Sequence, residues 1–122
     1  MVWRVILVCA LLTVIYLSLR PMSGAELFVS ADKVFHALTY AILYTMVWLV
    51  FPGPALSWRI HLSLLAFGGL LEVLQGFTGY RSMDGADILA NATGTGLGSL
   101  LLSLSKGYLP EWLISPSAGA SR

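Results

Sequence analysis

An all-α membrane protein, a polytopic bundle of four transmembrane helices joined by short loops, is the fold class this sequence predicts, and three observations predict it. Apolar residues make up 57% of the 122 positions and charged residues only 11%. One short soluble core cannot absorb that much apolar surface. The apolar residues fall into four runs, each close to the roughly 20 residues that cross a bilayer as a helix. Between the runs stand Pro21, Pro52-Gly53-Pro54 and Gly79, residue types that stop a helix.

The first run, Val2 to Leu19, is interrupted only by Arg4 and ends at Arg20-Pro21, where proline blocks continuation. Arg4 ahead of an apolar stretch, with Ser23-Gly24-Ala25 as a small-x-small cleavage site, also fits a signal sequence. The run is long for such a segment, so retention as a first membrane helix is the expectation. The second run extends from about Val34 to Phe51 and stops at the Pro-Gly-Pro breaker. The third extends from about Ile60 to Phe77. The fourth, from about Gly85 to Ser105, closes on Lys106-Gly107, a basic residue and a glycine suited to a helix C-terminus. Short connections make consecutive helices antiparallel neighbours. The helices define one domain over residues 1–110, and the tail 111–122, rich in Ser, Ala, Gly and Pro from Ser115 onward, is expected to be disordered.

The formal net charge is +1 and no run of lysine or arginine occurs, which argues against nucleic acid as a partner and against a polybasic membrane anchor. The single cysteine, Cys9, allows no intrachain disulfide and no thiolate metal site, and it reads as a packing residue. With the N-terminus inside, Arg4, Arg59, Lys106 and Arg122 lie on the inner side and Arg20, Lys33 and Arg81 on the outer side. The excess on the inner side predicts a multi-pass protein of the cell membrane with both termini cytoplasmic. Trp58, Tyr108 and Trp112 then fall near the inner interface and Tyr80 near the outer one.

Three stretches place ionisable and amide side chains inside or at the edge of these helices. They are Asp32-Lys33-x-x-His36-x-x-x-Tyr40, Glu72-x-x-Gln75, and Arg81-x-x-Asp84-x-x-Asp87-x-x-x-Asn91. Polar groups at hydrocarbon depth are costly, so they point to a functional site by default. At helical rise, Glu72 lies roughly 9 Å and Tyr40 about 10 Å inside the outer helix ends, with Asn91 similar and His36 and Asp87 nearer the surface. The set predicts a polar funnel that opens outward. Asp32, His36 and Tyr40 repeat at four-residue steps, and Asp84, Asp87, Asn91, Gly94 and Gly98 follow steps of three and four, so each set occupies one helical stripe.

Ala86, Ala90, Gly94 and Gly98 also recur at strict four-residue intervals, a small-residue ridge that lets another backbone approach closely. Gly68, Gly69 and Gly76 offer the same to the third helix. Ordinary packing explains such ridges without any further role. A structural explanation exists for the rim as well: Asp32, Lys33, Arg81, Asp84 and Asp87 can form an interfacial ion-pair network that fixes loop geometry. Glu72 stands apart. A charge at the middle of a membrane helix costs about 2.5–3.5 kcal/mol on insertion scales. Its retention calls for a partner, Arg81 or His36, or for a proton with Gln75 or Asn91 alongside.

In this order the residues resemble the VanZ-like family of small bacterial membrane proteins. The resemblance rests on the block from Asp32 to Tyr40, on Glu72-Val73-Leu74-Gln75-Gly76-Phe77, and on the block from Arg81 to Gly94, and it spans about Asp32 to Gly98. The family pattern falls on Asp32, Lys33, His36, Tyr40, Glu72, Gln75, Arg81, Asp87, Asn91 and Gly94. The turn before Arg81 departs from it, reading Gly79-Tyr80 where relatives often have proline and glycine. The resemblance implies a link to low-level resistance to the glycopeptide antibiotic teicoplanin, with no established reaction.

Two classes of function follow as expectations. One is a noncatalytic envelope factor that binds an envelope lipid or lipophilic drug through Asp32, Lys33, His36, Tyr40, Glu72, Gln75, Arg81, Asp84, Asp87 and Asn91. The other is a membrane-embedded enzyme that modifies a lipid headgroup, with Arg81 and Lys33 on phosphate and Glu72, His36 or Asp87 moving a proton. No nucleophile motif and no glycine-rich phosphate loop supports the enzyme. No cofactor and no metal site is predicted, although carboxylates with histidine suit a hard divalent cation. A small oligomeric transporter is a weaker third reading, since four helices without repeats need at least a dimer for alternating access. The small-residue ridge leaves a homo-oligomer open, and the lipid bilayer is the expected surrounding.

Overall fold

The helix-stopping residues set the element boundaries. The computed structural model describes the backbone of residues 1–21, 29–79 and 84–114 and the side chains of 1–21, 33–79 and 84–113. Helix α1 spans Val2–Leu19 and is followed by Arg20 in an extended conformation, φ −69° and ψ 150°. Pro21 keeps the residue before it out of the helical region. Helix α2 spans Val29–Val50, α3 spans Trp58–Phe77 and α4 spans Gly85–Ser105. A 3₁₀ turn, Lys106–Tyr108, and a short helix α5, Glu111–Ile114, complete the chain. Helices α1 to α4 are each long and apolar enough to cross a membrane, and no strand occurs among the described residues.

Three boundaries differ from the sequence reading. Helix α2 begins at Val29 rather than near Val34, so Lys33 is part of the helix, just ahead of the apolar run that contains His36. Helix α3 begins at Trp58 because Ser57 caps it, its hydroxyl accepting the Ile60 N–H at 3.5 Å. The expected disorder from 111 onward does not hold for Glu111–Ile114. There the Leu113 N–H donates to the Pro110 carbonyl at 2.9 Å, and Leu109 and Leu113 pack against the core. Residues 115–122, Tyr80 and the Ser23-Gly24-Ala25 site lie outside the described residues.

Glycines on α4 decide how the helices pack. A Cβ on Gly98 would lie 2.8 Å from the Ala41 carbonyl oxygen of α2, and one on Gly94 would overlap the Ala37 carbonyl. The same four-residue step in the same direction on both helices shows that α2 and α4 run parallel, with backbones in close approach. Their interface is the most extensive between helices among the described residues. Gln75, near the end of α3, reaches Ser18, near the end of α1, so α1 and α3 also run parallel. The bundle is therefore up-down-up-down, with α1 and α4 on opposite sides of the α2–α3 pair.

The small-residue ridge is used only in its second half. Gly94 and Gly98 are buried, Ala90 is half-buried and Ala86 is exposed. Ala86 and Ala90 lie to one side of the arc that Asp87, Asn91, Thr95 and Ser99 bury, and the drift of about 40° per four-residue step brings the series onto it only at Gly94. Gly94 and Gly98 face α2 of the same chain. On α3, Gly68 is buried while Gly76 is exposed.

The apolar core gathers Leu43, Tyr44, Trp48, Ile60, Leu64 and Leu102, with Leu7 from α1. Trp3, Ala10, Leu11 and Val14 share the Leu7 stripe and are packed against this core. Cys9 lies off that stripe and is exposed, so it is not the packing residue the sequence suggested. Phe35, Leu38, Ile42, Leu70, Leu101 and Leu104 are exposed on the outside of the bundle, an arrangement suited to lipid.

One end of the bundle is closed by the α2–α3 loop. The Tyr44 hydroxyl accepts the Ser57 N–H at 2.8 Å and donates to the Ala55 carbonyl at 2.6 Å. Trp48 Nε1 and Lys106 Nζ donate to the Gly53 carbonyl at 2.9 and 3.1 Å, and Nζ also sits 5.5 Å above the Trp48 ring. Side chains thus satisfy a loop whose prolines offer no N–H groups for pairing. The polar residues singled out in the sequence collect at the opposite end.

Candidate functional site

Three helix termini build the polar end: the start of α2, the end of α3 and the start of α4. Asp84 starts α4 as its N-cap, with Oδ1 accepting the Ala86 N–H at 2.9 Å. Its other oxygen, Oδ2, accepts from Lys33 Nζ at 2.6 Å. Lys33 also donates to Asp87 Oδ1, so one ammonium of α2 joins two carboxylates of α4. Lys33 holds the Asp84 carboxyl below the usual carboxylate range, with the Ala86 N–H adding to the effect.

One helical turn deeper, His36 presents Nδ1 to Asn91 Oδ1 at 3.0 Å and Nε2 to Asp87 Oδ2 at 3.7 Å. Tyr40 lies a further turn down α2 and is buried. Gly68 on α3 makes room for both deep groups. A Cβ there would lie 2.6 Å from Asn91 Nδ2 and 2.7 Å from the Tyr40 hydroxyl. Glycine at this position is what lets a phenol and an amide converge against α3.

Glu72 forms the floor. Its Oε2 accepts the backbone N–H of Asp84 at 2.9 Å, which ties the end of α3 to the start of α4. Its Oε1 is buried and meets no hydrogen-bond donor among the described residues. Asp87 and His36 are both close enough to act on its charge. Exposure falls steadily toward it: the side chains of Asp84, Lys33, His36 and Asp87 are 45, 24, 23 and 10% exposed, and Glu72 is 2% exposed. Glu72 is thus the most deeply buried carboxyl of the cluster.

The structure thus gathers Lys33, His36, Tyr40, Glu72, Asp84, Asp87 and Asn91 at one end of the bundle. Gln75 is buried on the same face of α3 but turns away, its Nε2 donating to the Ser18 carbonyl of α1 at 2.8 Å. Of the partners expected for Glu72, His36 acts on its charge, while Gln75 and Asn91 pair with Ser18 and His36 and a backbone amide meets Oε2 instead. Asp84 is occupied as an N-cap and ion-pair partner. Arg81 and the side chain of Asp32 lie outside the described residues.

The sequence reading passed over Thr95 and Ser99, which continue the Asp87–Asn91 stripe at four-residue steps and are 1 and 5% exposed. Their hydroxyls donate to the Ala92 and Gly96 carbonyls of their own helix at 2.9 Å each, so they extend the polar face without reaching across the bundle. Their spacing was the available signal. Nothing in the sequence marked the Ser18 carbonyl.

Chemically, the cluster offers two adjacent carboxyl groups, an imidazole and an ammonium already shared by two acids. It can accept hydrogen bonds and pass a proton between neighbours. No three His, Cys, Asp or Glu side chains among the described residues are placed to hold a metal ion. No protein-family model, no curated protein and no solved structure matches this chain.

Proposed function

We propose that this chain is a VanZ-like cell-membrane protein that binds an envelope lipid or a lipophilic glycopeptide of the teicoplanin type in its polar end funnel. The reading orients both termini to the cytoplasm, so that the funnel opens outward. Glu72 carries it: a carboxyl 2% exposed within an apolar helix, with one oxygen unmet by the described residues, is costly in a membrane unless something uses it. The described residues of the three blocks that resemble VanZ-like proteins, Lys33, His36, Tyr40, Asp87 and Asn91 among them, gather near that carboxyl.

A second reading has its own observation. Glu72, Asp87 and His36 stand close enough together to move a proton, as an enzyme acting on a lipid headgroup requires. Turnover of a labelled headgroup by the purified protein separates the two readings. The test of the first is teicoplanin tolerance in a susceptible Gram-positive host, measured with membrane abundance and thermal stability for wild type, Glu72→Gln and Asp87→Asn. Folded, abundant variants that lose tolerance support the funnel as the acting site. Variants that keep tolerance, or lose it only in step with abundance, leave the cluster a structural network. A wild type without tolerance removes the glycopeptide from the proposal.

A further inference from the structure

Lys33 and Arg81 invite the expectation that an anionic phosphate is what the funnel holds. The hydrogen-bond ledger of its floor points the other way. Lys33 is engaged by Asp84 and Asp87. The Gln75 amide donates to Ser18 on the far side of α3. His36 faces Asn91 and Asp87, and the Asn91 amide nitrogen lies beside the Tyr40 hydroxyl at Gly68. The Asp84 N–H takes only one oxygen of Glu72. The donors of Lys33, Gln75 and the Asp84 amide are thus committed to other acceptors, and Glu72 Oε1 meets no donor among the described residues.

A buried acceptor of this kind lacks a donor, and the phosphodiester of a lipid headgroup brings only further acceptors. The neighbouring carboxyl of Asp87 would repel it as well. A primary ammonium brings three N–H donors and a positive charge, and its hydrogen bonds to a carboxylate are the strong, charge-assisted kind. A quaternary ammonium carries charge but no N–H, and so leaves Oε1 unmet. We infer that the ligand of this funnel carries a primary ammonium group that donates to Glu72 Oε1 with Asp87 alongside, entering past the Lys33–Asp84 rim. The inference rests on the proposal that the funnel binds a headgroup.

The test uses the purified full chain in detergent micelles, with bound lipid per chain counted by native mass spectrometry. The probes are phosphatidylethanolamine, its N-acetyl derivative, phosphatidylglycerol and free ethanolamine. Expected is one phosphatidylethanolamine per chain, bound about tenfold or more tighter than the N-acetyl lipid or phosphatidylglycerol, the scale of one hydrogen bond to a charged group. Glu72→Gln, checked for an unchanged melting profile, should lose that preference, and Cys9→Ala, on the exposed face of α1, should keep it. If free ethanolamine binds as tightly as the lipid, the ammonium inference holds with a soluble amine as its source.

Equal binding of phosphatidylglycerol or the N-acetyl lipid at a single saturable site overturns the ammonium and leaves the headgroup funnel standing. A preference that survives Glu72→Gln overturns the role of Oε1. If no probe is retained above a micelle-only background, the headgroup reading fails together with the inference built on it.

Discussion

Glu72 and Asp84 are joined by a side chain to backbone bond of 2.9 Å that ties the penultimate turn of α3 to the residue just before α4. The same aspartate caps α4 with Oδ1 and holds Lys33 with Oδ2. A single residue therefore connects three helices, and Glu72 sets its position from below.

Glu72→Ala should strand the Asp84 N–H and lower stability by about 1–3 kcal/mol, the range for leaving a buried polar group unpaired. Glu72→Gln keeps an oxygen that can accept the bond and should lose less. Thermal melts of the detergent-solubilised variants read the difference. A Glu72→Ala protein as stable as wild type would show that the strap does not hold the helices.

Acid should loosen the rim. Lys33 lowers the folded-state pKa of Asp84 below its ordinary value, so the pair contributes stability above that ordinary value. The contribution is lost as the pH falls through the lowered folded value, because protonation then removes the charge that Lys33 meets. Asp84→Asn should therefore flatten the acid limb of a plot of Tm against pH while leaving its neutral-to-alkaline shape alone. Parallel acid limbs in the two proteins would remove Asp84 from the titration.

Gly94→Ala should force α2 and α4 apart, since its Cβ overlaps the Ala37 carbonyl, at about 1–3 kcal/mol for overpacking. Gly96→Ala on the same helix meets nothing within 4 Å and should leave stability unchanged or slightly raised. Melting temperatures of the two variants form the comparison. Equal losses would attribute the effect to helix conformation instead of helix contact.

Tyr44→Phe should free the α2–α3 loop. It removes the acceptor of the Ser57 N–H and the donor to Ala55, an expected loss of about 1–3 kcal/mol. Limited proteolysis should cut near Pro52 to Ala55 faster in this variant than in wild type. Unchanged cleavage would mean that Trp48 and Lys106 hold the loop without it.

The proposed orientation places residue 82 outside the cell and residue 105 inside. A membrane-impermeant thiol reagent should label Cys9→Ala/Ser82→Cys on intact cells and label Cys9→Ala/Ser105→Cys only after lysis. The reverse pattern would turn the funnel toward the cytoplasm.

Much of the site was legible because helical spacing is a one-dimensional signal. The steps from Asp84 to Asp87 and Asn91, and from His36 to Tyr40, state in sequence which side chains share a face. Glu72 announced itself by its cost within an apolar run. What the sequence could not carry was the partner of each group. The donor to Glu72 is a peptide N–H and the acceptor for Gln75 is a peptide carbonyl, and backbone groups have no residue-type signature. The small-residue ridge misled for a geometric reason, since it begins beside the buried face that Asp87, Asn91, Gly94 and Gly98 define and drifts onto that face only at Gly94. Tyr44 looked like one more apolar residue of a membrane helix, and only the fold of the loop reveals its hydroxyl as a latch.

The parallel contact of α2 with α4 has a consequence for how the protein is made. Those two helices are separated in the chain by all of α3, so the close seat of Gly94 and Gly98 on α2 can form only after the third helix has been synthesised and threaded. Until α4 arrives, His36 lacks Asn91, Lys33 lacks Asp84 and Asp87, and Glu72 lacks the Asp84 amide. The nascent protein thus passes through a three-helix stage in which its most polar side chains stand without these partners. A chain truncated before Asp84 should therefore accumulate in the membrane at a lower level than the full chain.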